Sequence, residues 1–257
     1  MVVGRDDMST KLKAEVFRWL NIVQCWLLPG VCILCQRNTG EASDLCLPCR
    51  AQLLPVSKPC QGCGLPVPES ASAGLRCGRC LGTQRPISTA VMRFAWSQPA
   101  SGLISQFKYQ RKLQYGRVLT ALLADQIRCA YAGLPLPELL VPVPLHPRKL
   151  RARGYNQSLL IARQLGKALQ LPVSGSLLQR VRHTPPQQGL SARQRKRNLQ
   201  GAFALNVTER ELLAQVRTIA LVDDVVTTMT TATTLARTLQ AHTNTPIEVH
   251  LWALARA

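Results

Sequence analysis

The chain has 257 residues, of which 46% are hydrophobic and 18% are charged, so a wholly disordered or fibrous protein is excluded. This length suits one sizeable core together with a smaller part. The 32 Lys and Arg residues against 13 Asp and Glu residues give a formal net charge of +19, which favours polyanionic partners without choosing between nucleic acid and phosphate-rich metabolites. A generally basic surface explains the same excess without any ligand.

Residues 1–29 are predicted to form an amino-terminal segment with an amphipathic helix from Thr10 to Leu28. Polar residues interrupt its apolar stretch, which is too short to cross a bilayer, and no small-residue cleavage site follows it. We therefore predict neither a signal peptide nor a membrane span, and we expect a cytoplasmic protein.

Eight of the ten cysteines occur in Cys-x-x-Cys pairs, a spacing typical of metal-ligating turns. Each pair presents two thiolates to one ion, and two pairs complete a tetrahedral Cys₄ zinc site. Residues 30–85 are therefore predicted to form a zinc module with one or two structural zinc ions. Its predicted ligands are Cys32, Cys35, Cys46, Cys49, Cys60, Cys63, Cys77 and Cys80.

Two points about the cysteines stay open. Few apolar residues lie between the pairs, so bound metal has to supply the stability of the module. Four disulfides in a secreted scaffold are the competing explanation of the cysteine spacing. Sequential use of the ligands, with the first four on one ion and the last four on another, is the simpler prediction, and an interleaved cross-brace is the alternative. Cys25 and Cys129 lie outside the pattern and are predicted to be small buried hydrophobic side chains.

After Gly82 the paired cysteines stop, and apolar runs alternate with amphipathic stretches as in β-α units. We place a domain boundary near residue 85 and predict that residues 86–257 form an α/β domain, a mainly parallel sheet flanked by helices. The predicted strands are Leu139–Val143, Gly201–Leu205, Thr218–Val222 and Ile247–Leu254, and the predicted helices are Tyr115–Tyr131, Tyr155–Leu169 and Thr231–His242.

The segment from Thr218 to Thr231 has the pattern of a phosphate site, because an apolar strand stops at two carboxylates and a hydroxyl-rich loop leads into a helix. Ligands in open α/β sheets lie beyond the carboxyl ends of strands, and a loop that opens a helix offers free amides and a positive dipole end. Asp223 and Asp224 are suited to accept hydrogen bonds from two ribose hydroxyls, so a sugar phosphate satisfies both halves of the segment. The plainer alternative is a strand end with an Asp cap.

This segment resembles the substrate loop of the type I phosphoribosyltransferases, which reads apolar strand, Asp-Asp, two aliphatic residues, Thr-Thr-Gly and a further Thr. Met229 stands where that family has a glycine that lets the backbone approach the 5′-phosphate. The resemblance implies binding of phosphoribosyl pyrophosphate (PRPP) with Mg²⁺, which is held largely by substrate oxygens and water. It assigns the two aspartates to catalysis and the next residues to the ligand, namely Val225, Val226, Thr227, Thr228, Met229, Thr230 and Thr231.

A narrower resemblance rests on three further motifs. They are Val141-Pro-Val-Pro-Leu-His-Pro, Arg151-Ala-Arg-Gly-Tyr-Asn-Gln and Pro186-Gln-Gln-Gly-Leu-Ser. Together with the cysteine pairs, these motifs are similar to the ComF/GntX family over roughly residues 30–256. That family joins a double zinc-ribbon-like module to a type I phosphoribosyltransferase domain and is associated with competence for transformation or with the use of external DNA as a nutrient. The resemblance therefore implies a role in handling imported DNA.

The family layout also implies roles for basic residues. The turn Lys149–Gln157 would be the pyrophosphate loop, where Arg153 and Gly154 bring a guanidinium and a backbone together. Lys108 would lie near the ligand, and Arg195 would belong to a mobile loop that closes over the reacting centre. The plainer interpretations are a solvated basic rim, a surface helix end and a strip that holds single-stranded DNA by its phosphates.

Two functions stay open from the sequence. One is a phosphoribosyltransferase, in which the protein positions PRPP and excludes water while a base displaces pyrophosphate. The other is a non-catalytic adaptor of the DNA uptake machinery that senses PRPP or binds single-stranded DNA and contacts competence proteins. Aromatic residues make up only 5% of the chain, so a single-strand binder that relies on base stacking is poorly equipped.

Overall fold

The computed structural model of the protein describes residues 30–39, 43–68, 76–83, 85–182, 199, 201–243 and 245–257. The predicted amino-terminal helix, Cys25 and Arg195 lie outside these residues. The chain divides into two compact units, the first ending at Gln52 and the second running from Leu53 to Ala257. Within the ranges just given, no helix is both long and apolar enough to cross a membrane.

The described part of the first unit is small and built around cysteine turns. Val31 and Asn38 pair as an antiparallel bridge on either side of the first Cys-x-x-Cys turn, and helix α1 (Leu47–Gln52) follows the third cysteine. Leu45 and the sulfur-bearing side chains of Cys32 and Cys49 are buried.

The second unit is built on a parallel sheet. Its strands are β1 (Thr89–Ala95), β2 (Leu139–Pro142), β5 (Thr218–Val226) and β6 (Glu248–Arg256), while β3 (Leu178–Arg180) and β4 (Phe203–Leu205) form a separate antiparallel pair. The parallel strands lie in the order β1-β6-β5-β2, so β5 and β6 are central. Both are apolar and buried over most of their length, as parallel strands covered on both faces require. The predicted α/β architecture with a mainly parallel sheet is confirmed.

The second unit contains seven α-helices within the described ranges. They are α2 (Gly78–Leu81), α3 (Ala100–Tyr109), α4 (Leu113–Ala130), α5 (Pro147–Arg153), α6 (Gln157–Leu169), α7 (Arg210–Ala214) and α8 (Thr230–Gln240). Helix α4 forms because its apolar residues recur on one stripe that includes Leu119, Leu123 and Ile127, and it packs against α6. The prediction that Cys129 is buried is wrong, because it follows Ile127 by two positions and therefore lies on the exposed side of α4.

Two differences from the sequence prediction affect the candidate site. Strand β5 does not stop before the carboxylates but runs through them, because its pairing with β6 continues to the pair Val226 and Arg256. The turn predicted after β2 contains helix α5, which begins with Pro147 and is capped by the His146 side chain, whose Nδ1 accepts from the Arg148 N–H at 3.2 Å. The first difference arises from pairing with a strand distant in the sequence, whereas the second follows from local features at the start of α5.

The second half of the cysteine module belongs to the second unit and covers an edge of the sheet. The Val56 N–H donates to the Arg93 carbonyl at 3.1 Å, and the Ala90 N–H donates to the Gln61 carbonyl at 2.6 Å. Strand β1 is the edge strand on this side, so these bonds occupy backbone groups that would otherwise be free to pair with another chain. The cysteine-rich segment is therefore part of the fold of the second unit.

We expect Gly64→Ala to destabilise the second unit by about 2–4 kcal/mol. Gly64 has φ +70, and a Cβ at this position would lie 2.2 Å from Cγ of Met92, which is itself buried. Gly133 is the matched control, because its φ is +77 but a Cβ added there would meet nothing within 4 Å, so Gly133→Ala should cost only the backbone strain of about 1 kcal/mol. Urea unfolding of both variants measures the difference, and equal losses would contradict the close packing of Gly64 on β1.

Candidate functional site

Eight of the nine described cysteines form two clusters with the geometry of zinc sites. The first holds Cys32, Cys35, Cys46 and Cys49, the second holds Cys60, Cys63, Cys77 and Cys80, and within each cluster the sulfur atoms lie within 4.8 Å of one another. The Cys35 and Cys46 sulfurs are 3.7 Å apart, and so are those of Cys63 and Cys77. Tetrahedral zinc with Zn–S bonds of about 2.3 Å requires sulfur separations of about 3.8 Å. The donor sets therefore fit zinc, with the ligands used in sequential order.

A second polar site lies at the carboxyl edge of the parallel sheet. Strand β2 ends at Pro142, opposite Val222 of β5, so the last four residues of β5 pair with β6 alone. The side that β2 leaves open borders a cavity of about 290 Å³. It is lined by residues of α3, the segment after β2, the start of α6, β3 and β5, including Lys108, Lys149, Arg153, Ser158, Arg180, Asp223 and Asp224. This is the place where open α/β sheets bind ligands.

The two predicted carboxylates lie in this cavity with different partners. Oδ1 of Asp223 accepts from the Ser158 hydroxyl at 3.1 Å and from the Asp224 N–H at 2.9 Å. Asp224 is 6% exposed, and its Oδ2 lies 2.7 Å from Nζ of Lys108. Successive residues of a strand point to opposite sides, so one carboxylate meets α6 and the other meets α3. The structure thus brings Lys108 together with both aspartates.

Burial and charge act differently on these groups. Burial, followed by the neighbouring charge of Asp224, raises the pKa of Asp223 to about 7, and this outweighs the opposing effects of Lys108 and of the hydrogen bond from Ser158. Burial by itself would lower the pKa of Lys108, but the ion pair with Asp224 and the nearby Asp223 raise it above its ordinary value. Arg180 is the other cation whose charge acts on Asp223. The carboxyl group of Asp223 therefore titrates near neutrality.

We expect Asp223→Asn to stabilise the unliganded protein more at pH 8 than at pH 5. A carboxyl pKa raised from about 4 to about 7 means that the folded state keeps the proton over this range while the unfolded state loses it, so stability falls as the pH rises through the range. Asparagine does not titrate, so the variant avoids this loss. At pH 8 its free energy of unfolding should exceed that of the wild type by about 1–3 kcal/mol after allowance for partial exposure. Urea unfolding at both pH values measures it, and a gain independent of pH would contradict the raised pKa.

The predicted phosphate loop forms a small cradle at the start of α8. A cavity of about 90 Å³ is bordered by residues 225–232 together with Asp223. The first amides of α8 have no partner within the helix, and their N–H groups with the Thr228 and Thr230 hydroxyls, which lie 2.8 Å apart, can surround an oxyanion. Thr227 and Thr228 are exposed, and Thr231 also borders the larger cavity. The cradle and the carboxylates are therefore continuous.

Met229 takes the backbone conformation that glycine adopts at this position in the family pattern. Its φ is 64 and its ψ is −2, in the left-handed region, immediately before α8. The side chain is 3% exposed and packs in the hydrophobic core with residues such as Leu235 and Ala236. The methionine therefore lies in the core and does not fill the solvent-open cradle.

The opposite wall of the larger cavity is basic. Because residues 147–153 are helical, Lys149 and Arg153 lie one turn apart on the same face and both line the cavity, whereas Arg148 and Arg151 are exposed. Burial and the charges of Arg180, Arg153 and Lys108 lower the pKa of Lys149. Such mutual repulsion is relieved by an anion, so this wall is suited to a pyrophosphate group or another polyphosphate.

Arg153 and Gly154 are held by neighbouring residues. Nη1 of Arg153 donates to Oε1 of Gln157 at 2.6 Å, and the guanidinium lies 5.3 Å from the ring centre of Tyr109. The Gly154 N–H donates to the Leu150 carbonyl at 2.7 Å. Gly154 itself caps the carboxyl end of α5 in the left-handed conformation, with φ +88. In this structure the guanidinium faces the cavity while the glycine amide is used in the helix cap.

Sequence reasoning missed two residues of this site. Ser158 comes directly after Asn156 and Gln157 at the start of α6, so the capping pattern could have indicated a hydroxyl at a helix start near the ligand. Arg180 lies in the short strand β3, stacks on Phe203 at 5.5 Å and has no local pattern that marks it. Only the tertiary structure brings it to the cavity.

Comparisons with known proteins agree with both halves of the chain. Residues 23–81 match the double zinc ribbon domain. Competence protein F of Haemophilus influenzae is 37% identical over 229 residues, which cover 88% of this chain and 96% of that protein. The DNA utilization proteins YhgH of Salmonella typhi and Escherichia coli K12 are each 36% identical over 232 residues, covering 89% of this chain and 98% of theirs. The predicted resemblance is thereby confirmed, and the chain belongs to the family of competence protein F and the DNA utilization protein YhgH.

Proposed function

We propose that the protein binds PRPP with Mg²⁺ at the carboxyl edge of its sheet and acts as a phosphoribosyltransferase in the handling of imported DNA. The observation that carries the proposal is a pair of adjoining cavities, sharing Asp223, Val225 and Thr231, along which a cradle, two carboxylates and a cationic wall follow one another. The 5′-phosphate, the ribose hydroxyls and the pyrophosphate of PRPP require these three environments in this order. The biological setting is taken from the names of two relatives, competence protein F and DNA utilization protein.

Each part of the site has a role in the proposed reaction. The cradle at residues 227–231 would hold the 5′-phosphate, and Asp223 and Asp224 would accept hydrogen bonds from the 2′- and 3′-hydroxyls. Lys149, Arg153 and Arg180 would bind the pyrophosphate and stabilise the negative charge that develops on it as it leaves. The bond from ribose C1 to the pyrophosphate oxygen breaks, a bond from C1 to a nitrogen of the acceptor base forms, and the acceptor releases a proton.

The residues present also fit the magnesium ion. Asp224 is already paired with Lys108, and Asp223 accepts from Ser158 and a backbone amide, so the cavity offers no cage of free carboxylates. Mg²⁺ commonly keeps several waters and binds through substrate phosphates. When bound, it would screen the pyrophosphate charge, and the protein would contribute the ribose contacts and the cationic wall.

Calorimetry with PRPP and Mg²⁺ tests the site directly. The wild type is expected to bind, and the double variant Asp223→Asn plus Asp224→Asn should lose at least about a hundredfold in affinity because both ribose-hydroxyl acceptors are replaced. Arg128→Met, on the exposed face of α4, is the control and should bind normally. Unchanged affinity in the double variant would refute the ribose site.

The second candidate function is a non-catalytic adaptor that binds PRPP or single-stranded DNA. It is favoured by the exposed Tyr109 beside Arg153 and Arg111, since an aromatic ring among cations is a common contact for single strands. Pyrophosphate release on addition of a panel of free bases distinguishes the two functions. Release with any one base supports the enzyme, and binding of PRPP without release, together with salt-dependent binding of single-stranded DNA, supports the adaptor.

We expect Met229→Gly to leave the affinity for PRPP within about threefold of the wild type, because the methionine side chain lies in the core. Its stability should fall by about 1–3 kcal/mol through loss of buried apolar area. Met229→Ala loses the same packing and keeps the left-handed strain, so it should be less stable than Met229→Gly by about 1 kcal/mol. Calorimetry and urea unfolding check both variants, and a gain in affinity of more than about tenfold in Met229→Gly would show that methionine obstructs the cradle.

A further inference from the structure

A buried arginine connects the second zinc cluster to the phosphate cradle. Arg256 is the last residue of β6 and is 8% exposed. Its Nε donates to the carbonyl of Cys63 at 2.9 Å, and its Nη1 donates to the carbonyl of Val226 at 3.0 Å and to that of Ala257. Cys63 belongs to the second Cys₄ cluster, and Val226 is the last residue of β5 before the cradle. One side chain thus bridges two sites that are far apart in the sequence.

The charge of Arg256 suits this place. A buried guanidinium needs compensation, which Arg256 receives from the oxygen atoms of Cys63, Val226 and Ala257. A zinc ion with four thiolate ligands carries a net negative charge, and Arg256 is bonded to the peptide of one of those ligands. The occupied cluster would therefore stabilise the guanidinium in the position from which it reaches Val226.

The end of β5 depends on the bonds that Arg256 makes. The Val226 carbonyl accepts from Nη1 of Arg256 and from the Ala257 N–H at 2.9 Å. Strand β2 does not extend to this point, so β5 has no strand partner there on its other side. Residues 227–229 follow Val226 directly and lead through the left-handed turn at Met229 into α8. A shift of Val226 would therefore move the first amides of α8 and change the shape of the cradle.

We infer that Arg256 is a positioning residue that couples zinc at the second cluster to the shape of the phosphate cradle. The inference rests on the proposed function for its choice of ligand. Coupling between two sites is reciprocal, so a ligand in the cradle must hold zinc at the second cluster more tightly, and zinc there must strengthen binding in the cradle.

Zinc release tests the coupling, with PRPP and Mg²⁺ as the probe and a chromophoric chelator as the reporter. In the wild type, PRPP should slow the release of one of the two zinc ions about five- to tenfold and leave the other unchanged. In Arg256→Met this dependence should disappear and the affinity for PRPP should fall about tenfold with both zincs still bound. Arg256→Lys restores the charge but reaches fewer carbonyls, so it should be intermediate, and Arg128→Met should match the wild type. An Arg256→Met protein with normal affinity and normal ligand-dependent release would overturn the inference.

Hydrogen exchange separates this inference from the proposed function. If the wild type does not bind PRPP, the proposed function fails, and the coupling is then read from the amides of residues 227–231. These should exchange about tenfold faster in zinc-loaded Arg256→Met than in the wild type, while the amides of α6 keep their rates. If Arg256→Met does not fold, the same comparison is made with zinc-loaded Arg256→Lys. Unchanged exchange of residues 227–231 in these samples would overturn the inference.

Discussion

Cys60→Ser is expected to abolish the cooperative folding of the second unit. Cys60, Cys63 and Cys80 are 0%, 1% and 4% exposed and belong to the same core cluster as Met92 and Leu251. Loss of a ligand removes the metal and leaves a hydroxyl and the thiols of Cys63 and Cys80 buried there without it. Structural zinc contributes about 10–16 kcal/mol in small zinc domains, which is as large as the whole stability of an ordinary domain. Near-ultraviolet circular dichroism and thermal melting should show the loss, and the freed edge of β1 should make the protein aggregate.

Cys49→Ser is the matched comparison for this prediction. It removes a buried ligand of the first cluster, so it should release one zinc and leave the melting transition of the second unit in place. Cys129→Ser replaces an exposed thiol and should change neither zinc content nor melting. A Cys60→Ser protein that melts within a few degrees of the wild type would show that the second cluster does not support the core.

Lys108→Met is expected to lower the free energy of unfolding by about 2–4 kcal/mol and to weaken PRPP binding at least about tenfold. The Lys108 side chain is 23% exposed, and its ammonium group lies 2.7 Å from Asp224, whose side chain is 9% exposed. Removing one partner of a largely buried ion pair leaves the other charge unpaired and only slightly exposed to water. The carboxylate of Asp224 would then also repel Asp223. The site would lose its neutralising charge, and the two aspartate side chains would no longer be held in their present positions.

A double-mutant cycle separates these two effects. Adding Asp224→Asn to Lys108→Met removes the unpaired charge, so stability should return to within about 1 kcal/mol of the wild type. PRPP binding should stay weak, because asparagine offers one neutral acceptor oxygen in place of a carboxylate. Lys112→Met, at an exposed position before α4, makes the same substitution without a charged partner in the cavity and should be neutral. If Lys108→Met is as stable as Lys112→Met, the ion pair is not a structural part of the site.

Much of the fold was predictable because the local spacing of apolar residues and cysteines indicates it. The strands at residues 139, 218 and 248 and helices α4, α6 and α8 coincide with the predicted ones to within a few residues, since their apolar residues recur at strand or helix spacing. The cysteine pairs likewise predicted metal clusters, because zinc requires four ligands at fixed distances. Strand β1 was not predicted, because its neighbours are β6 and the cysteine-rich segment, both distant in sequence.

The candidate site was only partly predictable. Asp223, Asp224 and the threonine loop are adjacent in the chain, so their common role followed from the order of strand, carboxylates and helix. The sequence could not show that β5 continues through the carboxylates, that α5 turns Lys149 and Arg153 towards the cavity, or that Arg180 reaches it from β3. Those facts depend on where strands end relative to one another and on the packing of helices.

By itself the sequence determined the α/β class, the eight candidate zinc ligands and the segment that carries the carboxylates, because each is a pattern of neighbouring residues with its own physical meaning. The tertiary structure decided that the second zinc cluster belongs to the core of the large unit, that Met229 points into the core, and that Arg256 joins Cys63 to Val226. Such contacts join residues up to 193 positions apart, and they form only when the sheet has assembled and its edges are covered.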